Sequence, residues 1–477
     1  MMTGEQLSPI LVKELRQGMR ARVFEGSFLL LQVLMVFAIV IALLTVDSQR
    51  PGASSTTFGH AMFWAMVAIP VLLIMPMRGC NALKTEIDAK SLELIFLTRL
   101  SAWRIVAGKW GALFSQTCLL VTAVLPYAVL RYYLGSVDLV GDLMVIGGML
   151  GASALLTAFT VSCSAFSSRL ARSMIFIFPV ALLNIAPALG FVTMASRVSY
   201  GSASSVGIGV YGAYLFYGLI ALLYLLEIGA SQIAPPAENH AVRKRLLGLF
   251  VLISGPGAVW LGASQDLLIV TFCFVLVVCL EAVCGQWDAV PGVYLPLFRL
   301  GRIGRRSSVL FVPGWPSGVL YSIITLGSFF PILFLTGRLD EDIFTVYVAS
   351  VGALFMPLAF VRIFAPRTHR LGTLYWSIQL LIVIGTMIVL LINGLLHLDV
   401  EEILSIFPLA TLILAVAGEA DASWLPATLI VLFASLGVIF FLGPGAWREL
   451  RLLKARALAL YGTETTAPPA APGAADS

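Results

Sequence analysis

Apolar residues in this chain gather in unbroken blocks of roughly twenty, separated by short polar stretches. The blocks lie at 27–46, 58–77, 107–130, 139–165, 174–194 and 206–231, then at 247–263, 267–285, 317–337, 343–364 and 373–396, with further runs at 403–418 and 424–442. A bilayer core of ~30 Å is crossed by ~20 helical residues, so this pattern predicts membrane-spanning helices. The run 403–418 differs from the others. It is short, it has Glu401 and Glu402 before it and Glu419 and Asp421 after it, and no Lys or Arg lies nearby. We read it as a re-entrant or interfacial element on the outer face, which leaves twelve spans in two six-helix halves.

The polar stretches carry a second pattern. Ser8-Pro9 is a helix start, with a capping Ser and Pro at the first helical position. Leu11, Leu15, Met19 and Val23 follow at four-residue steps, with Lys13, Arg16 and Arg20 on other faces. This predicts an interfacial amphipathic helix leading into the first span. The interruption from Arg78 to Lys109 predicts two short helices. Thr85 and Asp88 resemble a capping box, and Ser101 is placed to cap a helix running into span three. Leu92, Ile95 and Phe96 between them fall at i, i+3, i+4 as one apolar stripe beside Lys90 and Glu93. A short amphipathic element of this kind lies on a bilayer surface or docks on a partner protein.

Composition agrees with the block pattern. Of 477 residues, 59% are hydrophobic and 12% charged, with a mean hydropathy of +0.97. A soluble domain is typically ~25% charged. The fold class expected is an all-α polytopic membrane protein embedded in the lipid bilayer. The net charge of +5 does not predict nucleic-acid binding, because the basic residues sit in short loops between apolar runs. The first block lacks a small-residue cleavage site and is read as a retained span. The six cysteines fall in spans or at their edges, and their spacing fits no zinc site, so neither a disulfide nor a metal is expected.

Charge sets the orientation. With the N-terminus inside, only Arg50, Arg131, Arg197 and Arg338 of the thirty Lys and Arg residues fall outside. That asymmetry places both termini in the cytoplasm. The expected organisation is an interfacial helix (1–26), a first half (27–231) containing the 78–109 loop, a basic link (232–246), a second half (247–442), and a basic helix with a Pro/Ala-rich tail (443–477). We find no clear repeat between the halves.

Residues 1–110 resemble the type-2 exporter family of ABC transporter permeases. Ser8–Arg22, SPILVKELRQGMRAR, is similar to that family's leading interfacial helix. The family's segment after span two commonly runs as an acidic residue, then G-T-L-E-L-L, then T-P-L-S, then a Gly-Lys opening span three. Here stand Glu86, Lys90-Ser91-Leu92-Glu93-Leu94-Ile95, Thr98-Arg99-Leu100-Ser101 and Gly108-Lys109. Lys90 replaces the frequent Gly and Arg99 the frequent Pro. The resemblance implies a transport subunit of the bacterial cytoplasmic (inner) membrane. Its cytoplasmic coupling helix after helix 2 would dock on a separate ATP-binding ABC subunit, through Glu86, Leu92, Glu93, Ile95 and Phe96. The chain itself has no G-x-x-x-x-G-K-[ST] phosphate loop.

Other residues offer alternatives. Glu227 and Glu281 are carboxylates within apolar runs and therefore pathway candidates, though pairing with Arg243, Lys244 or Arg245 is an equal reading. Asn184 and Pro187 interrupt span five, where a Pro frees a carbonyl and kinks the helix, so they serve as packing, hinge or pathway lining. No Ser/His/Asp or Cys/His arrangement recommends catalysis, so no enzyme activity and no cofactor is expected. An ion-coupled secondary transporter using Glu227 or Glu281 is the alternative to a permease, and a membrane-embedded enzyme stands third. The substrate is not legible, and a single chain or a homodimer could complete the pathway.

Overall fold

The apolar blocks fold as helices because a backbone in lipid must satisfy its own hydrogen bonds. In this computed structural model, the structure describes residues 9–46, 62–89, 100–133, 139–166, 208–261, 266–285, 290–336, 341–365, 371–396, 407–417 and 424–461. Among these residues there is no strand, and nine helices are long and apolar enough to cross a membrane. Of the other predicted spans, 174–194 lies outside the described residues. The block 247–263 belongs to a helix whose beginning carries Arg243, Lys244 and Arg245, and 267–285 forms a shorter apolar helix, Leu267–Val283.

The chain divides into two compact units, Met1–Ala234 and Pro235–Ser477. The first holds α1 (Pro9–Met19), α2 (Arg22–Val46), α3 (Met62–Asp88), α4 (Ala102–Tyr133), α5 (Leu139–Ser164) and α6 (Ile208–Ile233). The second holds α7 (Ala241–Trp260), α8 (Asp266–Val283), α9 (Gly301–Phe311), α10 (Trp315–Leu335), α11 (Glu341–Phe364), α12 (Leu371–Leu396), α13 (Pro408–Ala417), α14 (Leu425–Leu442) and α15 (Pro444–Tyr461).

In the first unit, α5 packs against α3, α4 and α6, and α1 lies along α4. The buried core runs through Leu31, Met35, Trp64, Val71, Leu120 and Met149 at one level, and through Leu83, Ile105, Val106, Val161 and Leu226 at another. Helix α4 is anchored at both ends. From Lys109 to Arg131 it runs about 33 Å at ~1.5 Å per residue, close to the ~30 Å of a bilayer core. Arg131 is buried with Asp142 at 3.7 Å and stacks over Phe63 at 4.1 Å.

Helix α3 is irregular, and its two prolines explain why. Pro70 and Pro76 each remove a donor and crowd the preceding turn, so the chain passes through a π-helical turn (Ile69–Ile74) and a 3₁₀ turn (Arg78–Asn81). Helix α5 meets these disturbed turns with hydroxyls. Ser153 Oγ donates to the Val71 carbonyl at 2.9 Å and Thr160 Oγ1 to the Pro76 carbonyl at 2.7 Å. Ser164 Oγ accepts from the Leu83 amide at 3.1 Å. Ser153, Thr160 and Ser164 share one helical stripe with Thr157, at i, i+4, i+7 and i+11. The close approach requires Gly79, where a Cβ would stand 2.3 Å from Thr160 Oγ1.

Candidate functional site

The feature that joins the elements singled out from the sequence is a charged junction where α1, the end of α3 and the start of α4 meet. Helix α1 starts at Pro9, as the Ser-Pro pair predicts. Its covered face is Leu11, Glu14, Leu15 and Gly18, whereas Met19 and Val23 are 40% and 54% exposed. The apolar stripe expected of α1 is thus partly turned away from the protein, and Glu14 takes a place on its inner face. Two glycines let α1 approach α4: Gly18 faces Gln116, and Gly111 faces Leu11.

Lys109 stands at the centre. Its side chain is 6% exposed, with Nζ 3.0 Å from Glu14 Oε1 and 2.9 Å from Glu86 Oε1. An ammonium removed from water is tolerated when opposite charge surrounds it, and here it links carboxylates from two other elements. Beside it, Arg78 donates to Gln116 Oε1 and, at 3.3 Å, to the Gly18 carbonyl. Lys13, Glu14, Gln17, Arg78, Glu86 and Lys109 line a cleft of about 400 Å³. The arrangement is an ion-paired clamp. It contains no paired nucleophile and base, and among the described residues no group of three His, Cys, Asp or Glu could hold a metal.

Of the sequence-selected docking residues, Glu86 is therefore held within the clamp. Leu92, Glu93, Ile95 and Phe96 lie outside the described residues, as do Asn184 and Pro187. The expected capping box at Thr85 and Asp88 does not form. The chain enters the helix Lys84–Asp88 already in helical conformation from the 3₁₀ turn, with Leu83 as its first flanking residue, and Thr85 Oγ1 turns back to the Asn81 carbonyl at 3.2 Å. Ser101 does precede Ala102–Thr122 in extended conformation, but its hydroxyl makes no capping bond.

The two carboxylates of the apolar runs lie on α6 and α8. Glu227 on α6 is 3% exposed. Glu281 on α8 pairs with Lys244 on α7 at 2.5 Å, the pairing that the adjacent basic triplet suggested. The neighbouring Arg245 is buried at 2% exposure. It donates to the Leu310 carbonyl and, at 3.0 Å, to Ser317 Oγ, and lies over the Tyr321 ring at 5.6 Å. Asn239 pins the start of α7, donating to the carbonyls of Val293 at 3.0 Å and Phe311 at 3.1 Å.

Sequence reasoning missed Glu14, Arg78 and Gln116 as partners in the junction, and it missed the hydroxyl stripe of α5. The spacing of Ser153, Thr157, Thr160 and Ser164 within an otherwise apolar span carried that signal. Compared with known proteins, the chain matches no protein-family model, no curated protein and no solved structure.

Proposed function

We propose that this chain is the transmembrane permease subunit of an ABC transporter, exporting an unidentified substrate with energy from a separate ATPase subunit. The observation that carries the reading is the Lys109 junction. The family resemblance rests on two places, the leading helix and the loop after span two with its Gly-Lys end. Glu14 of the first meets Glu86 and Lys109 of the second in a single ion cluster. A push on the loop between α3 and α4 would reach α1 and α4 together, which is what a transmitted power stroke requires.

The reading includes twelve spans with both termini in the cytoplasm of the bacterial inner membrane. One contact supports its parity: Lys454 on α15 donates to the Arg305 carbonyl on α9 at 2.7 Å. On this reading these two segments lie on one side of the membrane, with an even number of crossings between them. Helices α10, α11, α12 and α14 would supply four, and α13 would be the non-crossing element.

The reading expects an ATPase gene next to that of this chain, and the test is co-expression of the tagged chain with that ATPase. A stable complex whose ATP hydrolysis responds to the permease is the expected result. No association, and no change in hydrolysis on reconstitution, would overturn it. A second reading, an ion-coupled secondary transporter, draws on the burial of Glu227 in an apolar helix. It predicts flux driven by an imposed proton gradient without nucleotide, and abolished by Glu227→Gln.

A further inference from the structure

Two segments of the second unit, 149 residues apart in sequence at their point of contact, build one cationic surface. The turns Pro291–Tyr294 and Leu295–Phe298 join α9 and α15 around Val293, Tyr294, Leu297, Phe298, Val312 and Ala457, all buried. Tyr294 OH reaches the Leu450 carbonyl at 3.5 Å, and Lys454 bonds to the Arg305 carbonyl. Helix α9 opens on Gly301 at φ 69, a left-handed conformation that favours glycine. Gly304 lies so close to the preceding turn that a Cβ would stand 1.9 Å from the Leu297 carbonyl oxygen. The platform is thus fastened from beneath.

Its outer side is different in character. Arg299 in the turn before α9 and Arg302 and Arg306 on α9 are exposed, and Leu300 and Ile303 among them are 67% and 81% exposed. On α15, Arg448, Arg451 and Arg456 are exposed, and so is Leu452. Glu449 is the one carboxylate in residues 290–312 and 443–461. All six exposed cations are arginines, whose planar fork fits phosphate oxygens in pairs. Both helices adjoin membrane-length helices: α9 precedes α10 at Trp315, and α15 follows α14 at Leu442. Apolar side chains ringed by arginine at the end of a span match the boundary between headgroups and acyl chains.

We propose that α9 and α15 form a docking surface for anionic phospholipid headgroups. The arginines hold the headgroup phosphates, and Leu300 and Ile303 enter the boundary below them. This requires only that the flanking helices cross a bilayer, and is independent of the transport reading. The test is native mass spectrometry of the purified full chain with equal phosphatidylglycerol and phosphatidylcholine in detergent. The expected result is several-fold enrichment of phosphatidylglycerol that falls with salt and is lost in Arg299→Gln/Arg302→Gln/Arg306→Gln. Arg448→Gln/Arg451→Gln, whose side chains are exposed, should reduce it as well and serves if the first variant fails to fold. Replacing the first three arginines by lysine should retain part of the enrichment. Equal retention of the two lipids, or enrichment unchanged in both glutamine variants, would overturn the proposal. Displacement of the lipid by inorganic phosphate at matched concentration would assign a simple anion site and overturn it too. Loss of ATPase association in these variants with lipid enrichment intact would assign the face to a protein, and would equally overturn it.

Discussion

Lys109 holds Glu86 at 2.9 Å, so the foot of α4 is tied to the loop that closes α3. The same ammonium holds Glu14 at 3.0 Å. Lys109→Met would leave two mostly buried carboxylates facing each other without their counter-charge. Both retain some solvent contact, so the loss should be about 3 kcal/mol, the low end for a broken buried pair. Adding Glu14→Gln to Lys109→Met should recover part of it, because the two residues act through one cluster. Unfolding in mixed micelles measures both. Strictly additive losses would mean that the cluster is not a unit.

Gly79 and Thr160 mark the closest approach of α3 and α5. A Cβ at residue 79 would meet Thr160 Oγ1 at 2.3 Å and the Val161 amide nitrogen at 3.1 Å. Gly79→Ala should therefore destabilise by about 1–3 kcal/mol, the usual range for overpacking. Thr160→Ala alone removes the hydroxyl from the Pro76 carbonyl and should cost about 1 kcal/mol. In the Gly79→Ala background the same change should instead be stabilising, since it removes the nearer obstacle. Thermal half-life of the four proteins in one detergent decides the sign.

What could be read in advance follows from which forces are local. Blocks such as 139–165 and 343–364 announce helices because lipid leaves the backbone no other fold, and the structure has α5 and α11 there. The end of α3 was harder. Thr85 and Asp88 have the spacing of a capping box, yet the 3₁₀ turn that follows the proline-disturbed segment delivers the chain already helical, so the cap has no extended residue to sit on. Lys109 was visible as part of a Gly-Lys opening, but its link to Glu14 depends on α1 folding back along α4. That approach is made by Gly18 and Gly111, whose role appears only when both helices are in place. The apolar stripe of α1 misled in the same way: its periodicity was plain, but the face used was set by α4.

The contact between Lys454 and the Arg305 carbonyl leads to a prediction about topology. If α9 and α15 share one side, α13 enters and leaves the membrane on one face. Its ten residues span about 15 Å, half a bilayer core. Glu402 and Asp421, which flank it and lie outside the described residues, should both react from outside as single cysteines in a Cys-free background. A cysteine at Arg448 should be protected from the same reagent until the membrane is opened. Reaction of positions 402 and 421 from opposite sides would refute the parity argument.

The final prediction concerns how a separate ATPase would engage the protein. The residues read as its anchors are Leu92, Ile95 and Phe96, with Glu86 and Glu93 at their borders. The Lys109 clamp changes how they should be tested. Glu86→Lys would place a second ammonium against Lys109 and disturb the junction from within, so lost binding in that variant would say little about docking. Glu93→Lys changes the border of the apolar stripe while leaving Glu14, Glu86 and Lys109, which form the clamp, unaltered. Interfaces draw most of their energy from a few apolar anchors, while charges set register and partner choice. Ile95→Ala with Phe96→Ala should therefore lower ATPase association at least tenfold, about 1.4 kcal/mol or more, while the chain still inserts and elutes normally. Glu93→Lys should slow association in a salt-dependent way. Lys109→Met should separate the two steps, leaving the ATPase bound but reducing the response of its hydrolysis to the permease, because the loop would no longer be fastened to α1 and α4. Binding undiminished by the Ile95 and Phe96 pair would remove the loop as the docking site. Binding lost together with coupling in Lys109→Met would show that the clamp shapes the loop and does not transmit through it.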